Sequence, residues 1–241
     1  MISSRAPFTV LICLALAGLV LVPVIAFRYG YSDLTFFEAA AGFFLLIATG
    51  AGAWFFFRRR GEVDHSGALR LGLGLGLLWA VEISINNFIT PPLPARDIID
   101  DTFWAAIALA ILAYALARAL RTGSLLRAIQ AGAWSGLSSG LLACVMALAV
   151  IVFGMESITR DPLNVAEWAA RGTAVPAPSM AAYFAFETFA GAFLHLVVLG
   201  LAMGLLLGLV GGLSGKGLRS IKKIFNHETH ENHEKERRKA I

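Results

Sequence analysis

Charged side chains are scarce in this sequence of 241 residues. Asp, Glu, Lys and Arg supply 15% of the chain, whereas a soluble globular domain contains about 25% of them. Hydrophobic residues supply 58%, and long apolar runs recur along most of the sequence. These features exclude an ordinary soluble domain and predict an all-α, polytopic membrane protein.

Cysteine is almost absent. The two cysteines, Cys13 and Cys144, each lie inside an apolar run. Their number and positions exclude a disulfide framework and a cysteine-based metal site. We expect both to pack as small apolar side chains.

Motifs for common cofactors and for nucleic acid are also missing. The sequence contains no glycine-rich nucleotide-binding loop, no haem or quinone signature and no dense group of metal ligands. Positive charge collects in residues 216–241, where eight Lys or Arg and four Asp or Glu account for the whole net charge of +4. Because no basic patch is interleaved with aromatic residues, nucleic acid is not an expected partner. We therefore expect no cofactor and no metal ion.

Six apolar runs are each long enough to cross the hydrocarbon core of a bilayer as a helix. For the first run a signal peptide is the alternative, but the run continues ten residues beyond the candidate cleavage site at Ala17, which favours a retained helix. We predict a transmembrane domain over 1–215 and a basic, disordered cytoplasmic tail over 216–241. The predicted helices cover 8–27, 34–57, 68–90, 98–120, 126–153 and 180–213.

Basic residues are distributed unevenly between the two sides of the predicted bundle. With both termini in the cytoplasm, the inner segments contain sixteen Lys or Arg residues and the outer loops contain four. The excess of basic residues in cytoplasmic loops predicts this orientation. The chain would then form three hairpins in a bacterial inner membrane, with the lipid bilayer as its surroundings.

Glycine recurs at every fourth position in the fifth and sixth predicted helices. This spacing places small residues along one face of a helix, so two backbones can approach closely, which is how many helices associate in lipid. We expect this face to hold the bundle together, while a glycine-lined pore is the less favoured alternative. The residues are Gly132, Gly136 and Gly140 in the fifth helix and Gly200, Gly204 and Gly208 in the sixth.

Three carboxylates, Glu38, Glu82 and Glu187, interrupt the apolar runs. A charged group at the centre of a membrane helix costs about 3 kcal/mol, so these positions indicate either function or an internal polar contact. Asn86 lies one turn beyond Glu82, and Asn87 follows it. We predict that these groups line an outward-facing polar pocket that exchanges a proton or holds a cation.

His195 suggests two further roles. It follows Glu187 by eight residues on one helix face, which would allow a proton relay, although a hydrogen bond to a backbone carbonyl is the simpler interpretation. Together with Ser138 and Ser139 it also raises a remote alternative, an intramembrane serine hydrolase. The segment around these serines does not match G-x-S-G, and serine on a small-residue face is typical of helix packing.

Two features of the predicted outer loops have structural interpretations. Asp100 and Asp101 precede or begin the fourth apolar run, where we expect them to cap the helix, and a divalent-cation site including Asp97 is the alternative. Residues 163–171 have the pattern of a short helix lying on the membrane surface. This helix would act as an interfacial anchor through Trp168 or as a lid over the pocket.

The predicted function is that of a small transporter or a transport-linked subunit, with its pocket around Glu82, Asn86, Asn87 and Glu187. The alternative is a non-catalytic scaffold, whose partner would be a second copy of the chain or another membrane subunit. The basic segment 216–223 is expected to lie against anionic lipid.

Overall fold

A computed structural model describes residues 6–58, 65–171 and 176–239, with only the backbone described at 57, 171 and 222–239. The described residues are helical and contain no strand. In chain order, the helices are α1 (Ala6–Tyr29), α2 (Asp33–Arg58), α3 (Ser66–Ser84), α4 (Leu93–Thr122), α5 (Leu125–Phe153), α6 (Met155–Arg160), α7 (Pro162–Arg171), α8 (Met180–Leu194) and α9 (Met203–Lys239).

Six helical segments are long and apolar enough to cross a membrane, so the architecture is that of a multi-pass membrane protein. This confirms the predicted all-helical fold with six spans. The spans are Ala6–Tyr29, Asp33–Phe56, Ser66–Ile89, Leu93–Thr122, Leu125–Phe153 and Met180–Ile221.

Helix α4 begins at Leu93, five residues before the predicted start. Pro92 occupies the N-cap position, and Pro94 lies in the first turn, where proline leaves no helical hydrogen bond unmade. Asp100 and Asp101 therefore lie about two turns inside the helix. The expectation that they cap α4 is wrong.

Helix α9 continues to Lys239, although the sequence analysis predicted a disordered tail after residue 215. Neither glycine nor proline interrupts residues 218–239. A helix that already exists can extend through such a segment without a second nucleation step, which explains the difference.

Helix α5 lies at the centre of the bundle. It is the most buried span, since 61% of its most apolar window is buried compared with 44% for the next span. It packs against α1, α3, α4, α8 and α9. The other helices are therefore held together largely through α5.

The glycines on α5 pack directly against the backbone of the last span. A Cβ atom on Gly132, Gly136 or Gly140 would meet, respectively, Gly204 O, Gly200 O and the carbonyl oxygen of His195. Gly208 likewise lies against the backbone at Ile129. The two helices approach this closely because neither carries a side chain at the crossing.

A neighbouring face of α5 packs against α3. The hydroxyl of Ser135 donates to the carbonyl oxygen of Ala68 at 3.1 Å, and a Cβ atom on Gly72 would meet Ser135 and Ser138. Small residues thus allow α3 to approach α5 closely, as other small residues allow α9 to do.

The helix ends cluster at two ends of the bundle. At one end, Arg58, Arg121 and Arg127 lie near the ends of α2, α4 and α5, and we call it the arginine-rich end. Trp134 of α5 packs there on Phe8 of α1 and Phe56 of α2, with ring centroids 5.7 and 5.1 Å apart. At the other, the acidic end, Arg28 of α1 donates to Val152 O of α5 at 3.3 Å. Charged groups near the acidic end include Asp33, Asp97, Asp101 and Glu156.

Two π-helical segments interrupt the spans. Ile85–Ile89 extends α3, and His195–Ala202 joins α8 to α9. π-Helical turns are rare in proteins, and those that occur are often found at functional sites. Asn86, Asn87 and His195, which the sequence analysis selected for their polarity, all lie in these two segments.

Candidate functional site

Asn86 joins two carboxyl groups inside the predicted membrane region. Its Nδ2 atom donates one hydrogen bond to Glu82 Oε1 and another, at 2.7 Å, to Asp100 Oδ1. Because both oxygen atoms accept from one nitrogen, the two carboxyl groups lie close together. We call Glu82, Asn86 and Asp100 the carboxyl cluster.

The π-helical turn and the early start of α4 create this arrangement. Glu82 and Asn86 are four residues apart, so they lie on one helical face, and Asp100 comes from the facing helix beyond the proline turn. Counting about 1.5 Å per residue, Glu82 lies roughly 10 Å below the end of its span. The cluster thus lies below the acidic end, in the part of the bundle's apolar length nearest to that end.

In the part of the chain that the structure describes, no Arg or Lys side chain pairs with the carboxyl cluster. Glu82 is buried, with 7% of its surface exposed, and Asp100 is half-buried. Among the described residues, no ion pair involves either of them, and the Oδ1 atom of Asn86 is buried without a hydrogen-bond partner. Two buried or half-buried carboxyl groups without a counter-charge strongly favour the approach of a positive species.

His195 lies beside this cluster. Its ring packs edge to face on Trp79 of α3, with centroids 4.9 Å apart, and its Nδ1 atom is 2.8 Å from Gly191 O. Asp100 is close enough to interact electrostatically with the imidazole. The bond to Gly191 O is the simpler of the two interpretations that the sequence suggested. The described hydrogen bonds and ion pairs do not join His195 to a carboxylate, so the proton relay stays a prediction.

Asn87 is separate from the cluster. Its Nδ2 atom donates to Ile83 O at 2.8 Å. The backbone carbonyl oxygen of Asn87 accepts from the Ser157 hydroxyl of α6 at 2.5 Å. The second of these bonds connects the end of the α3 span to α6.

Arg96 forms a second fastening at the acidic end. Its guanidinium pairs with Asp161 at 2.6 Å, while Nε donates to Pro91 O at 2.7 Å. Asp161 also accepts from the backbone N–H of Leu163 at the start of α7. Arg96 is therefore committed to the loop contacts and does not neutralise Asp100 one turn further along α4.

Glu38 and Glu187 form a different group around Tyr31. Both carboxylates lie near the Tyr31 hydroxyl, whose pKa is raised above its usual value by burial, with further contributions from Glu187 and then Glu38. Glu187 is exposed and Glu38 half-buried. No described contact joins these two residues to Glu82 or Asn86, with which the sequence analysis grouped them.

Ser138 and Ser139 are buried in helix contacts. The Ser138 hydroxyl donates to Trp134 O at 2.6 Å and also lies near Leu69 O of α3. No described contact joins either serine to His195. Ser138 therefore has a packing role, and the described contacts do not pair either serine with a base that could activate it as a nucleophile.

The segment predicted to lie on the membrane surface is helix α7. Trp168 of α7 lies beside Tyr183 of α8, with ring centroids 5.7 Å apart, and the Tyr183 hydroxyl donates to Glu167 at 3.0 Å. Next to α6 there is an open cleft of about 310 Å³ at the acidic end. Its lining comprises Phe88, Thr90, Phe153, Gly154, Glu156, Ser157, Arg160 and Asp161.

Sequence reasoning missed Asp100 and Trp79 as members of the site. Asp100 stands in a run of charged residues and was interpreted as a cap, and Trp79 looks like any buried aromatic residue of an apolar run. The usable signal was position: if the helix begins at the proline turn, Asp100 falls about two turns inside it, at a depth similar to that of Glu82.

Comparison with protein-family models, curated proteins and solved structures gives no match to this chain. A functional assignment therefore has to be argued from the geometry of the structure.

Proposed function

We propose that this chain is a small transporter, or a subunit linked to a transporter, that handles a cation at the carboxyl cluster. The observation that carries the proposal is the hydrogen bonding of one amide, Asn86, to two carboxyl groups that form no ion pair with any described residue. Ionised carboxylates in an apolar region are costly unless a positive species neutralises them. A site of this kind selects for positive charge.

The surroundings of the cluster favour access from the acidic end. Asp97 and Asp101 are exposed on the same helix as Asp100, and acidic groups raise the local concentration of cations. The open cleft beside α6 borders Asn87 through Phe88 and Ser157. A cation arriving there has a short path to the cluster.

The orientation completes the proposal. We assign the arginine-rich end and both termini to the cytoplasm of a bacterial inner membrane, with the spans arranged as three hairpins, because basic residues favour cytoplasmic segments. The carboxyl cluster would then face outward, and the basic start of the tail would contact anionic lipid.

The proposal is tested by cation uptake into vesicles of phosphatidylethanolamine and phosphatidylglycerol that contain the purified full-length protein. A potassium diffusion potential drives uptake of three probes measured separately: protons with an internal pH dye, radioactive sodium, and radioactive methylammonium. We expect at least one probe to enter faster than into empty vesicles. Glu82→Gln and Asp100→Asn should each reduce that flux by about tenfold or more, because each removes a site charge.

The matched control is Asp33→Asn, an exposed carboxylate at the start of α2 that does not line the cleft, which should leave the flux unchanged. If a folded wild-type protein moves none of the three probes, the proposal is wrong. A scaffold in which Asn86 merely ties α3 to α4 would then be favoured, and a co-purifying membrane subunit would support it.

A further inference from the structure

We propose that the open cleft beside α6 binds a zwitterion in which an ammonium group is joined to a phosphodiester. Phosphatidylethanolamine in the surrounding leaflet and its water-soluble headgroup share this chemistry. The inference goes beyond the proposed function, because it gives the cleft a ligand of its own and does not depend on the carboxyl cluster. Since the proposed access route passes the same cleft, a bound ligand would narrow that route.

Specific contacts hold the walls of the cleft in place. The Ser157 hydroxyl of α6 donates to the backbone carbonyl oxygen of Asn87 at 2.5 Å, and Asp161 is held by its buried ion pair. A Cβ atom on Gly154 would meet the Phe88 ring, so the lack of a side chain there lets this ring pack against the turn between α5 and α6. The cleft of about 310 Å³ is therefore formed by the protein itself, and its size is that of a small-molecule site.

Two opposite charges in the cleft are available to a ligand. On α6, Arg160 and Glu156 pair with each other at 2.5 Å, and their side chains are 77% and 74% exposed. An ion pair this exposed contributes little to stability, so both groups can turn toward a ligand. Asp161, the third charged residue of the described lining, is not available, because its carboxylate is engaged by Arg96 and by the backbone N–H of Leu163.

This pair of charges favours a zwitterion over a simple ion. An anion that approaches Arg160 is also repelled by Glu156, and a cation that approaches Glu156 is repelled by Arg160. A zwitterion lying antiparallel to the pair brings an opposite charge to each residue. Its phosphodiester accepts hydrogen bonds from the guanidinium, while its ammonium group donates to the carboxylate. Both side chains of the pair are then engaged by one ligand.

Two exposed phenyl rings extend this site toward hydrocarbon. Phe153, the last residue of α5, is 81% exposed, and Phe88, in the π-helical segment that ends its span, is 52% exposed. Both rings line the cleft. They lie where two membrane spans end, which is the level at which lipid headgroups meet their acyl chains. A headgroup in the cleft would place its acyl chains against these rings, and an ammonium group is also attracted to an aromatic face.

Calorimetric titration of the full-length protein, delipidated in a neutral detergent, measures the binding without any cation flux. The soluble probes are glycerophosphoethanolamine, glycerophosphoglycerol, which lacks the ammonium group, and ethanolamine, which lacks the phosphodiester. The lipid probes are dihexanoyl phosphatidylethanolamine and dihexanoyl phosphatidylglycerol. We expect the zwitterionic lipid, alone or together with its soluble headgroup, to bind about threefold or more tighter than the probes that have a single charge.

Two variants test the residues of the site. Arg160→Gln and Glu156→Gln each remove one charge of the pair and should each weaken the binding by about threefold or more. Because both side chains are exposed, we expect these variants to fold. The matched controls are Arg121→Gln at the end of α4 and Asp33→Asn at the start of α2. Both residues are exposed and lie outside the cleft, so the controls should bind as the wild type does.

The outcomes distinguish the two sources of the ligand. If the lipid binds and the soluble headgroup does not, the site belongs to lipid of the leaflet, and Phe153→Ala should weaken the binding. If both bind, the free headgroup also enters the cleft. The proposal is overturned if the zwitterionic probes bind no tighter than those with a single charge, or if Arg160→Gln and Glu156→Gln bind as the wild type does. Neither result bears on the carboxyl cluster, which the flux measurements test separately.

Discussion

Arg96 and Asp161 form an ion pair with a distance of 2.6 Å between nitrogen and oxygen, and their side chains are only 15% and 4% exposed. The pair links α4 to the start of α7, 65 residues further along the chain. Because Arg96 also donates to Pro91 O, one guanidinium fixes the proline turn to the segment that follows α5. At the acidic end, Arg96 therefore ties α4, the proline turn and the start of α7 together.

Breaking this pair should destabilise the protein. Arg96→Gln leaves the Asp161 carboxylate buried without its counter-charge, and we expect the free energy of unfolding to fall by about 3 kcal/mol. Equilibrium unfolding in detergent micelles measures the change. The control pair, Arg160 and Glu156, is 77% and 74% exposed, so Arg160→Gln should change stability by less than about 1 kcal/mol. Equal effects of the two substitutions would contradict the assignment.

Replacing Glu82 by Gln should leave the melting temperature unchanged or raise it. The Oε1 atom of Gln still accepts from Asn86, and the repulsion between two carboxyl groups is removed. Functional groups are commonly retained at a cost in stability. Thermal unfolding of the purified protein from pH 5 to 8 measures this, with Glu156→Gln as the control. A large fall over the whole range would mean that the Glu82 carboxylate is a structural tie.

Asn86→Ala should have the opposite effect on stability. The substitution removes both hydrogen bonds that hold Glu82 and Asp100, and a lost hydrogen bond to a charged group costs about 1.5–3 kcal/mol. We expect a clear fall in the melting temperature of the purified protein. Asn87→Ala is the comparison, since it removes only a bond to Ile83 O on its own helix and should cost less. A larger fall in melting temperature for Asn87→Ala than for Asn86→Ala would contradict the role assigned to the carboxyl cluster.

Gly136→Ala should weaken the contact between α5 and α9. The added methyl group would meet Gly200 O, so the two backbones must separate, at a cost of about 1–3 kcal/mol. In contrast, Gly74 of α3 has no atom within 4 Å of the position of a Cβ. Gly74→Ala should be neutral or stabilising by up to about 1 kcal/mol because alanine favours helix. Unfolding measurements on both variants compare the same substitution at a tight and an open site.

Cysteine labelling tests the proposed orientation. In a variant whose Cys13 and Cys144 are replaced by alanine, a cysteine at Glu156 should react with a membrane-impermeant maleimide added to intact cells. A cysteine at Arg121 should react only after the cells are permeabilised, because positively charged segments favour the cytoplasm. Labelling in the reverse order would place the carboxyl cluster nearer the cytoplasm.

The apolar runs made most of the fold predictable, because a span needs length and hydrophobicity and both are visible in the sequence. The start of α4 was missed, since the charged residues from Arg96 to Asp101 resemble a loop. Their placement inside the helix depends on what they contact: Arg96 meets Asp161, and Asp100 meets Asn86. Such tertiary partners are not encoded in local spacing.

The candidate site was predictable only in part. Glu82 and Asn86 were recognisable together because four residues separate them on one helix face. Glu187 was grouped with them on depth alone, yet it lies near Tyr31, since depth in a bilayer does not fix which side of the bundle a residue occupies. His195 was selected as a polar group in an apolar run, but its packing on Trp79 required the glycine contacts that set the position of the last span.

The central position of α5 has a consequence for biogenesis. Helices generally enter the bilayer before they associate, and four spans are synthesised before α5. Until α5 is made, those spans lie in the lipid without the helix against which most of them pack. A ribosome that stalls before residue 125 would leave them unassembled, and we expect membrane proteases to remove them. The bundle would be complete only when the last span has been made, because its glycines pack against the backbone of α5.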